Sequence, residues 1–182
     1  ATRERAQDMQ TALRRLSHLT EKLMQLARAE GGRLLAETPV DVSAILRMVA
    51  GEFGGYVDAA GRIELELPDE PVFASIDVDA FAILARNLIE NALKHGSQDE
   101  PIRVTLSAER VLRVANAGPI VRPDMLARLS EPFERGQSLT RGTGLGLAIA
   151  KTIAAGTGGR LELVSPRNNR EDGFEARFCI GN

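Results

Sequence analysis

Met9, Leu13, Leu16, Leu19, Leu23 and Leu26 recur at steps of three and four, with Arg, Glu, Lys and Gln between them. That spacing predicts one long amphipathic helix over residues 3–30, closed by Gly31-Gly32. Its apolar stripe is narrow, closer to a helix–helix seam than to a globular core face, so the helix needs a partner. Beyond the glycines the texture changes. Pro39 to Val42 predicts a short strand, and Ser43 caps a helix to about Phe53 with Ile45, Leu46, Val49 and Phe53 on one face. Residues 62–67 alternate polar and apolar, a strand with one wet face; Pro68 to Pro71 is a turn, and Val72 to Ile76 a second strand. Asp77 or Asp79 caps a strongly periodic helix carrying Phe81, Leu84, Leu88, Ile89 and Leu93, and Gly96 ends it.

Ile102 to Ser107 and Val111 to Ala115 alternate and pair as a hairpin, followed by the turn Asn116-Ala117-Gly118-Pro119. Residues 122–129 form a short helix, 130–143 a polar loop without pattern, and Leu145 to Ala155 a further helix. Arg160 to Val164 and Glu175 to Ile180 are two more alternating strands. The strands adjoin in hairpin pairs more than they alternate with helices. The fold class is therefore α+β, with helices on one face of a mixed, mostly antiparallel sheet and one long helix ahead of it.

Composition narrows the function. Of 182 residues, 43 % are hydrophobic and 26 % charged, a globular profile and not a disordered one. Aromatics are 4 % with no Trp, too few for a surface that stacks single-stranded nucleic acid. The net charge of −2 supplies no basic field for DNA or an anionic membrane. A single Cys, Cys179, excludes an internal disulfide and a Cys-based zinc site. No apolar run approaches the ~20 residues of a membrane span. The chain begins at Ala1 and not Met, so part of a longer protein is expected.

Candidate chemistry lies in three segments. Gly142-Thr143-Gly144-Leu145-Gly146-Leu147 runs into a helix; alternate glycines permit close backbone approach, and a helix start offers unpaired N–H groups. This is a phosphate cradle but not a P-loop, since no Gly-Lys-Ser/Thr follows. Alone, the segment leaves a glycine-rich helix start without a ligand equally open. In Asn87-Leu88-Ile89-Glu90-Asn91-Ala92-Leu93-Lys94-His95, the two Asn share a helix face at i, i+4. A carboxamide oxygen suits Mg²⁺. Read alone, the segment favours two Asn on a solvated face with a Glu90–Lys94 surface pair. In the loop, Phe133 followed by Arg135 suggests a lid with an apolar anchor and a phosphate contact. His18 and Lys151 read as surface helical residues.

In this order and spacing, the segments resemble the catalytic ATP-binding region of sensor histidine kinases, whose fold is shared with DNA gyrase, MutL and heat-shock chaperone ATPases. Asn87 to His95 looks like the family's N box, and Asn116 to Pro119 falls where its first glycine box lies. Pro132-Phe133 resembles the F box, and Gly142 to Leu147 the second glycine box. The resemblance covers about residues 34–182 and implies a Bergerat-type two-layer sandwich that binds ATP and Mg²⁺. It implies that Asn91 ligates the metal, that Asn87 lines the phosphate side, that Glu90 polarises or orients nearby groups, and that Lys94 faces phosphate. Asn87, Glu90 and Lys94 would be the catalytic set. Asn116 and Gly118 would border the nucleotide, Arg135 would be a lid cation, and Gly142, Thr143, Gly144, Leu145 and Gly146 would hinge the lid and receive phosphate.

Two positions depart from the pattern. Asn116 stands where an Asp usually accepts from the adenine amino group, and Ile120 where a second Gly is usual. The long helix resembles the second helix of the family's dimerisation hairpin, which gives an expected division into residues 1–32 and 33–182. The phosphoacceptor motif of the first helix is not matched: His18 is followed by Leu19-Thr20, and Leu23 stands in place of the Pro. The resemblance thus implies a cytoplasmic piece of a membrane-anchored, homodimeric sensor that passes phosphate from ATP to a His outside this chain and on to a response-regulator Asp. The piece itself would touch neither nucleic acid nor membrane and would not phosphorylate itself. A clamp-type ATPase on the same fold and a degenerate interaction module remain as alternatives.

Overall fold

The computed structural model describes residues 2–54, 61–133 and 143–181. Helix α1 (Thr2–Gly31) is followed by strand β1 (Val40–Asp41), helix α2 (Val42–Phe53), strands β2 (Ile63–Glu66) and β3 (Phe73–Ala74), and helix α3 (Val78–His95). Then come the hairpin strands β4 (Ile102–Leu106) and β5 (Val111–Asn116), a single turn of helix α4 (Pro123–Leu126), helix α5 (Gly146–Gly156), and strands β6 (Arg160–Val164) and β7 (Phe174–Cys179). The main sheet has the order β2-β4-β5-β7-β6, with β2 parallel to β4 and every other neighbour antiparallel.

Strand alternation places the helices. Ile102, Val104, Leu106, Leu112, Val114, Ala176 and Phe178 point into one buried layer, whereas Arg103 and Arg113 are exposed on the other face. The helices cover the apolar face and the opposite face meets water, a two-layer α+β arrangement. Helix α3 occupies the centre of that layer: Phe81, Leu84, Leu88 and Ile89 are at most 1 % exposed. Truncating a leucine so enclosed typically costs ~2–5 kcal/mol, so α3 is a rigid rail for the polar residues it carries. No helix among the described residues is long and apolar enough to cross a membrane.

Several boundaries differ from the sequence reading. Helix α2 is capped by Asp41, whose side chain accepts from the backbone N–H groups of Ser43 and Ala44. Ser43 instead lies buried within the first turn, and its hydroxyl accepts from the Val72 N–H at 2.9 Å. The Val72 carbonyl accepts from Val42 N, so both backbone groups of Val72 serve the start of α2 and not a strand ladder. The strand expected from Val72 to Ile76 is accordingly reduced to Phe73–Ala74, paired only with β1. For α3 the cap is Asp77, accepting from Ala80 N, and not Asp79.

Helix α1 packs within the chain against α5 and reaches α3 through the side chains of Lys22 and Gln25. Leu19 and Leu26 pack on the core, and Lys22, Gln25 and Ala29 are buried. Met9, Leu13, Leu16 and Leu23 stay exposed, so only part of the expected seam is filled. His18 and Lys151 are exposed, as read from the sequence.

Candidate functional site

The site is built along α3. Asn87 is 2 % exposed, Asn91 and Lys94 are half-buried one and two turns later, and Glu90 is partly open. Asn87 therefore sits inside, not on a solvated face. Its Nδ2 donates to the Ile83 carbonyl at 2.8 Å and to Gln25 Oε1 at 3.2 Å. Its Oδ1 accepts from Lys22 Nζ at 2.8 Å, and the same ammonium donates to Glu90 Oε2 at 2.6 Å. Glu90 is thus paired with a lysine of α1. Lys22 and Gln25 were not legible as site residues. The Asn91 side chain makes no hydrogen bond to another described residue.

The glycine-rich segment meets this row at Asn87. A Cβ on Gly146 would lie 3.2 Å from Asn87 Oδ1, so the bare glycine lets α5 start directly against the amide. Leu145, before that start, is fully buried and contributes no side-chain cap. Leu145 N donates to Thr143 Oγ1 at 3.3 Å, and Gly144 has the left-handed φ of 72° that favours glycine. The N–H groups of the first turn of α5 are left without a side-chain acceptor, an arrangement that suits an anion. Phe133 N donates to the Gly144 carbonyl at 3.1 Å, which ties the F-box position to the glycine segment. Arg135 and Gly142 lie outside the described residues.

The far end of α3 meets the end of β5. Ser97 N donates to the Ala117 carbonyl at 2.8 Å, and a Cβ on Gly96 would come within 2.9 Å of Asn116 Cβ. Asn116 is 3 % exposed; its Nδ2 donates to the Ala117 carbonyl at 2.9 Å, and its Oδ1 is buried without a partner among the described residues. An orphaned buried acceptor costs ~1–3 kcal/mol, so this oxygen is poised for a donor supplied from outside. Gly118 has φ 146° and Ile120 is exposed, pointing its bulk into solvent. Desolvation of the ring, and then the charge of Lys94, lower the His95 pKa below its ordinary value, which favours the neutral imidazole.

At position 116 the Ala117 contact uses an amide donor that an acid would lack. Asn116→Asp would set a carboxylate oxygen against the Ala117 carbonyl in place of the donor. We expect the variant to lose about 1–3 kcal/mol of stability, read as a lower denaturant midpoint at unchanged slope.

With this geometry in view, comparison with known proteins assigns the class. The pattern of the histidine kinase-, DNA gyrase B-, and HSP90-like ATPase family matches residues 76–181, and the chain belongs to that family. Its relatives are sensor kinases. A bacteriophytochrome of Pseudomonas aeruginosa is 33 % identical over 89 % of this chain and 23 % of its own length. Sensor protein VanSC of Enterococcus gallinarum is 31 % identical over 83 % of this chain and 44 % of its own length. Sensor protein QseC of Salmonella typhi is 32 % identical over 89 % of this chain and 36 % of its own length. The chain thus spans less than half the length of these curated relatives. Among solved structures, full-length ShkA in complex with AMPPNP superposes with a TM-score of 0.73 at 26 % identity, covering 97 % of this chain and 38 % of that one. The catalytic domain of histidine kinase ThkA superposes at 0.64 and 25 % identity, covering 79 % and 94 % respectively.

Proposed function

We propose that residues 33–182 form the Mg·ATP-binding catalytic domain of a sensor histidine kinase, and that residues 1–32 are the second helix of its dimerisation hairpin. One observation carries the nucleotide reading. A single rigid helix joins an uncapped, glycine-lined helix start at Asn87 to an unpartnered buried acceptor at Asn116. From Asn87 to Gly96 the helix rises roughly 14 Å, comparable to an extended nucleoside triphosphate. Phosphates would lie at the α5 end, received by the first-turn N–H groups with Thr143, Gly144, Leu145 and Gly146. The adenine amino group would donate to Asn116 Oδ1 beside Gly118.

The residues present fit a magnesium ion. No group of three His, Cys, Asp or Glu among the described residues could hold a metal. Mg²⁺ needs no such cage, because it takes one or two protein oxygens together with phosphate oxygens and water. Asn91 would supply that oxygen from a half-buried position one turn beyond Asn87. The ion would neutralise charge on the transferring phosphoryl group. Lys94 would face phosphate from the last turns of α3. Glu90 would orient the incoming nucleophile, the imidazole of a His outside this chain, and the phosphoryl group would then pass to an Asp of a response regulator. Arg135 and Gly142 would complete the lid. The amide at position 87, where clamp-type ATPases carry an acidic base, disfavours sustained hydrolysis of ATP. The exposed leucines of α1 favour a dimer in a longer, membrane-anchored parent, with this part on the cytoplasmic side.

Calorimetry of the chain with ADP and with ATP, each with Mg²⁺, tests the reading. Saturable binding at or below millimolar nucleotide is expected, with no label passed from γ-labelled ATP to His18. Absence of both heat and thermal shift at millimolar nucleotide would leave the degenerate interaction module as the function.

A further inference from the structure

Three stretches of chain meet at the Asn116 end of the site, and one side chain joins two of them. Ser97 N donates to the Ala117 carbonyl at 2.8 Å from one side, and Gly173 N donates to the Gly118 carbonyl at 2.7 Å from the other. The Ala117 carbonyl is also the acceptor that holds the Asn116 amide, so the direction of Asn116 Oδ1 depends on these flanking segments. Arg167, in the connection from β6 to β7, bridges them. Its Nε and Nη2 donate to Asp172 Oδ1 at 3.1 Å and Oδ2 at 3.3 Å, a two-pronged contact next to Gly173. The same Nη2 donates to Glu100 Oε2 at 3.0 Å, in the turn that begins at Ser97. The Arg167 side chain is 12 % exposed, against 47 % for Glu100 and 45 % for Asp172. Exposed ion pairs hold little in place. Here the cation is enclosed and its fork is rigid, so it dictates where both carboxylates stand. A Cβ on Gly173 would lie 3.0 Å from Arg167 Cδ and 2.2 Å from the Asn116 carbonyl oxygen, so the arginine stem and the Asn116 backbone crowd the same side of one glycine.

We propose that Arg167 is a positioning residue for the base end of the site: by tying Glu100 to Asp172 it clamps the 116–118 turn between its two flanking segments and fixes the Asn116 acceptor. The proposal rests on the nucleotide reading above and adds the group that sets its affinity for the base. Arg167 acts through Asn116 and not on the ligand. The amide at position 116 is what makes the clamp matter. A carboxylate there would draw a donor by its charge, whereas a neutral amide oxygen makes a weaker contact that depends more on its placement. The Asn116 side chain is held by its bond to the Ala117 carbonyl, so a turn that loosens carries the acceptor with it. The polyphosphate end, at the start of α5, lies roughly 14 Å away along α3 and does not share these contacts.

The test uses the whole chain and two ligands, each with Mg²⁺: ADP, and inorganic tripolyphosphate, which has no base. Calorimetry is expected to show roughly five- to tenfold weaker ADP binding by Arg167→Met, with tripolyphosphate binding unchanged within about twofold. Glu100→Ala cuts the bridge at an exposed residue and leaves the Asp172 contact. It is expected to weaken ADP roughly two- to fivefold, and it decides the matter should Arg167→Met not fold. The double variant is expected to bind ADP no more weakly than Arg167→Met alone, since both substitutions cut one link. Unchanged ADP affinity in the folded variants overturns the clamp. Equal weakening of ADP and tripolyphosphate overturns it as well and makes Arg167 a general stabiliser of the fold. Binding of neither ligand by wild type overturns the nucleotide reading itself, whereas ADP bound with one affinity by wild type and variants overturns the clamp alone.

Discussion

Gly173→Ala is expected to be among the most damaging single-methyl additions in this fold, lowering stability by more than about 3 kcal/mol. Gly173 opens β7 with a left-handed φ of 76°, and a Cβ there would lie 2.2 Å from the Asn116 carbonyl oxygen and 3.2 Å from Ala117 Cα. Both neighbours are backbone, held in register by the pairing of Asn116 with Phe174 and by the 2.7 Å bond from Gly173 N to the Gly118 carbonyl. Left-handed strain accounts for ~1–2 kcal/mol and the overpacking for a further ~1–3 kcal/mol. That is a large fraction of the ~5–15 kcal/mol by which a domain is stable. Gly158→Ala is the control: its φ is also left-handed, at 68°, but open space surrounds the position, so only the strain is expected. Chemical denaturation of the two variants separates collision from strain. If Gly173→Ala is no worse than Gly158→Ala, the backbone at Asn116 is free to yield and the close packing of the two loops is not required. A folded fraction of Gly173→Ala is also expected to bind ADP more weakly, because the shifted backbone carries Asn116, the proposed adenine acceptor.

The parts of this molecule that were legible in its sequence are those whose pattern is local. The row Phe81, Leu84, Leu88, Ile89 repeats with the helical period, and it lies in the core. The β4–β5 hairpin followed from two alternating runs, and the pairing of Val104 with Val114 realises it. Caps were harder: the sequence reads Ser43 as the α2 cap, but Asp41, two positions earlier, holds the first-turn N–H groups. Asp41 reaches back to two N–H groups and leaves Ser43 to serve Val72, a residue twenty-nine positions on. Glycine and amide spacing marked Gly144, Gly146 and Asn91 as candidates, and the fold sets Gly146 against Asn87. No such spacing marked Lys22 and Gln25. Reading α1 by its leucines found a stripe that the fold largely leaves in solvent at Met9, Leu13, Leu16 and Leu23. The face that packs carries a lysine and a glutamine, whose burial makes sense only with Glu90 and Asn87 opposite. No local rule supplies that partner. Asn87 illustrates the same point: on its own helix it read as a solvated residue, and the approach of α1 and α5 is what encloses it.

Asn91→Ala is expected to weaken Mg-dependent nucleotide binding by about a hundredfold while leaving the fold intact. The half-buried Asn91 side chain makes no hydrogen bond to the described residues, so truncation leaves no orphaned partner behind. Alanine is also the better helix former, by up to ~0.7 kcal/mol, so the denaturant midpoint should hold or rise slightly. Function should respond in the opposite sense. Where one carboxamide oxygen is the protein's main contribution to a magnesium site, its loss leaves only phosphate oxygens and water to hold the ion. A hundredfold loss corresponds to roughly 2.7 kcal/mol, within the range for a charge-assisted contact that nothing replaces. Calorimetry with ATP in magnesium and again in chelator gives the readout. Wild type is expected to lose most of its affinity in chelator, and Asn91→Ala to bind equally weakly in both. Asn87→Ala distinguishes position from chemistry: it removes the acceptor of Lys22 and the neighbour of Gly146, so it should lower stability as well as affinity. An Asn91→Ala chain that keeps the full magnesium effect would move the metal off α3, and the assignment of this helix as the rail between base and phosphate would have to be given up.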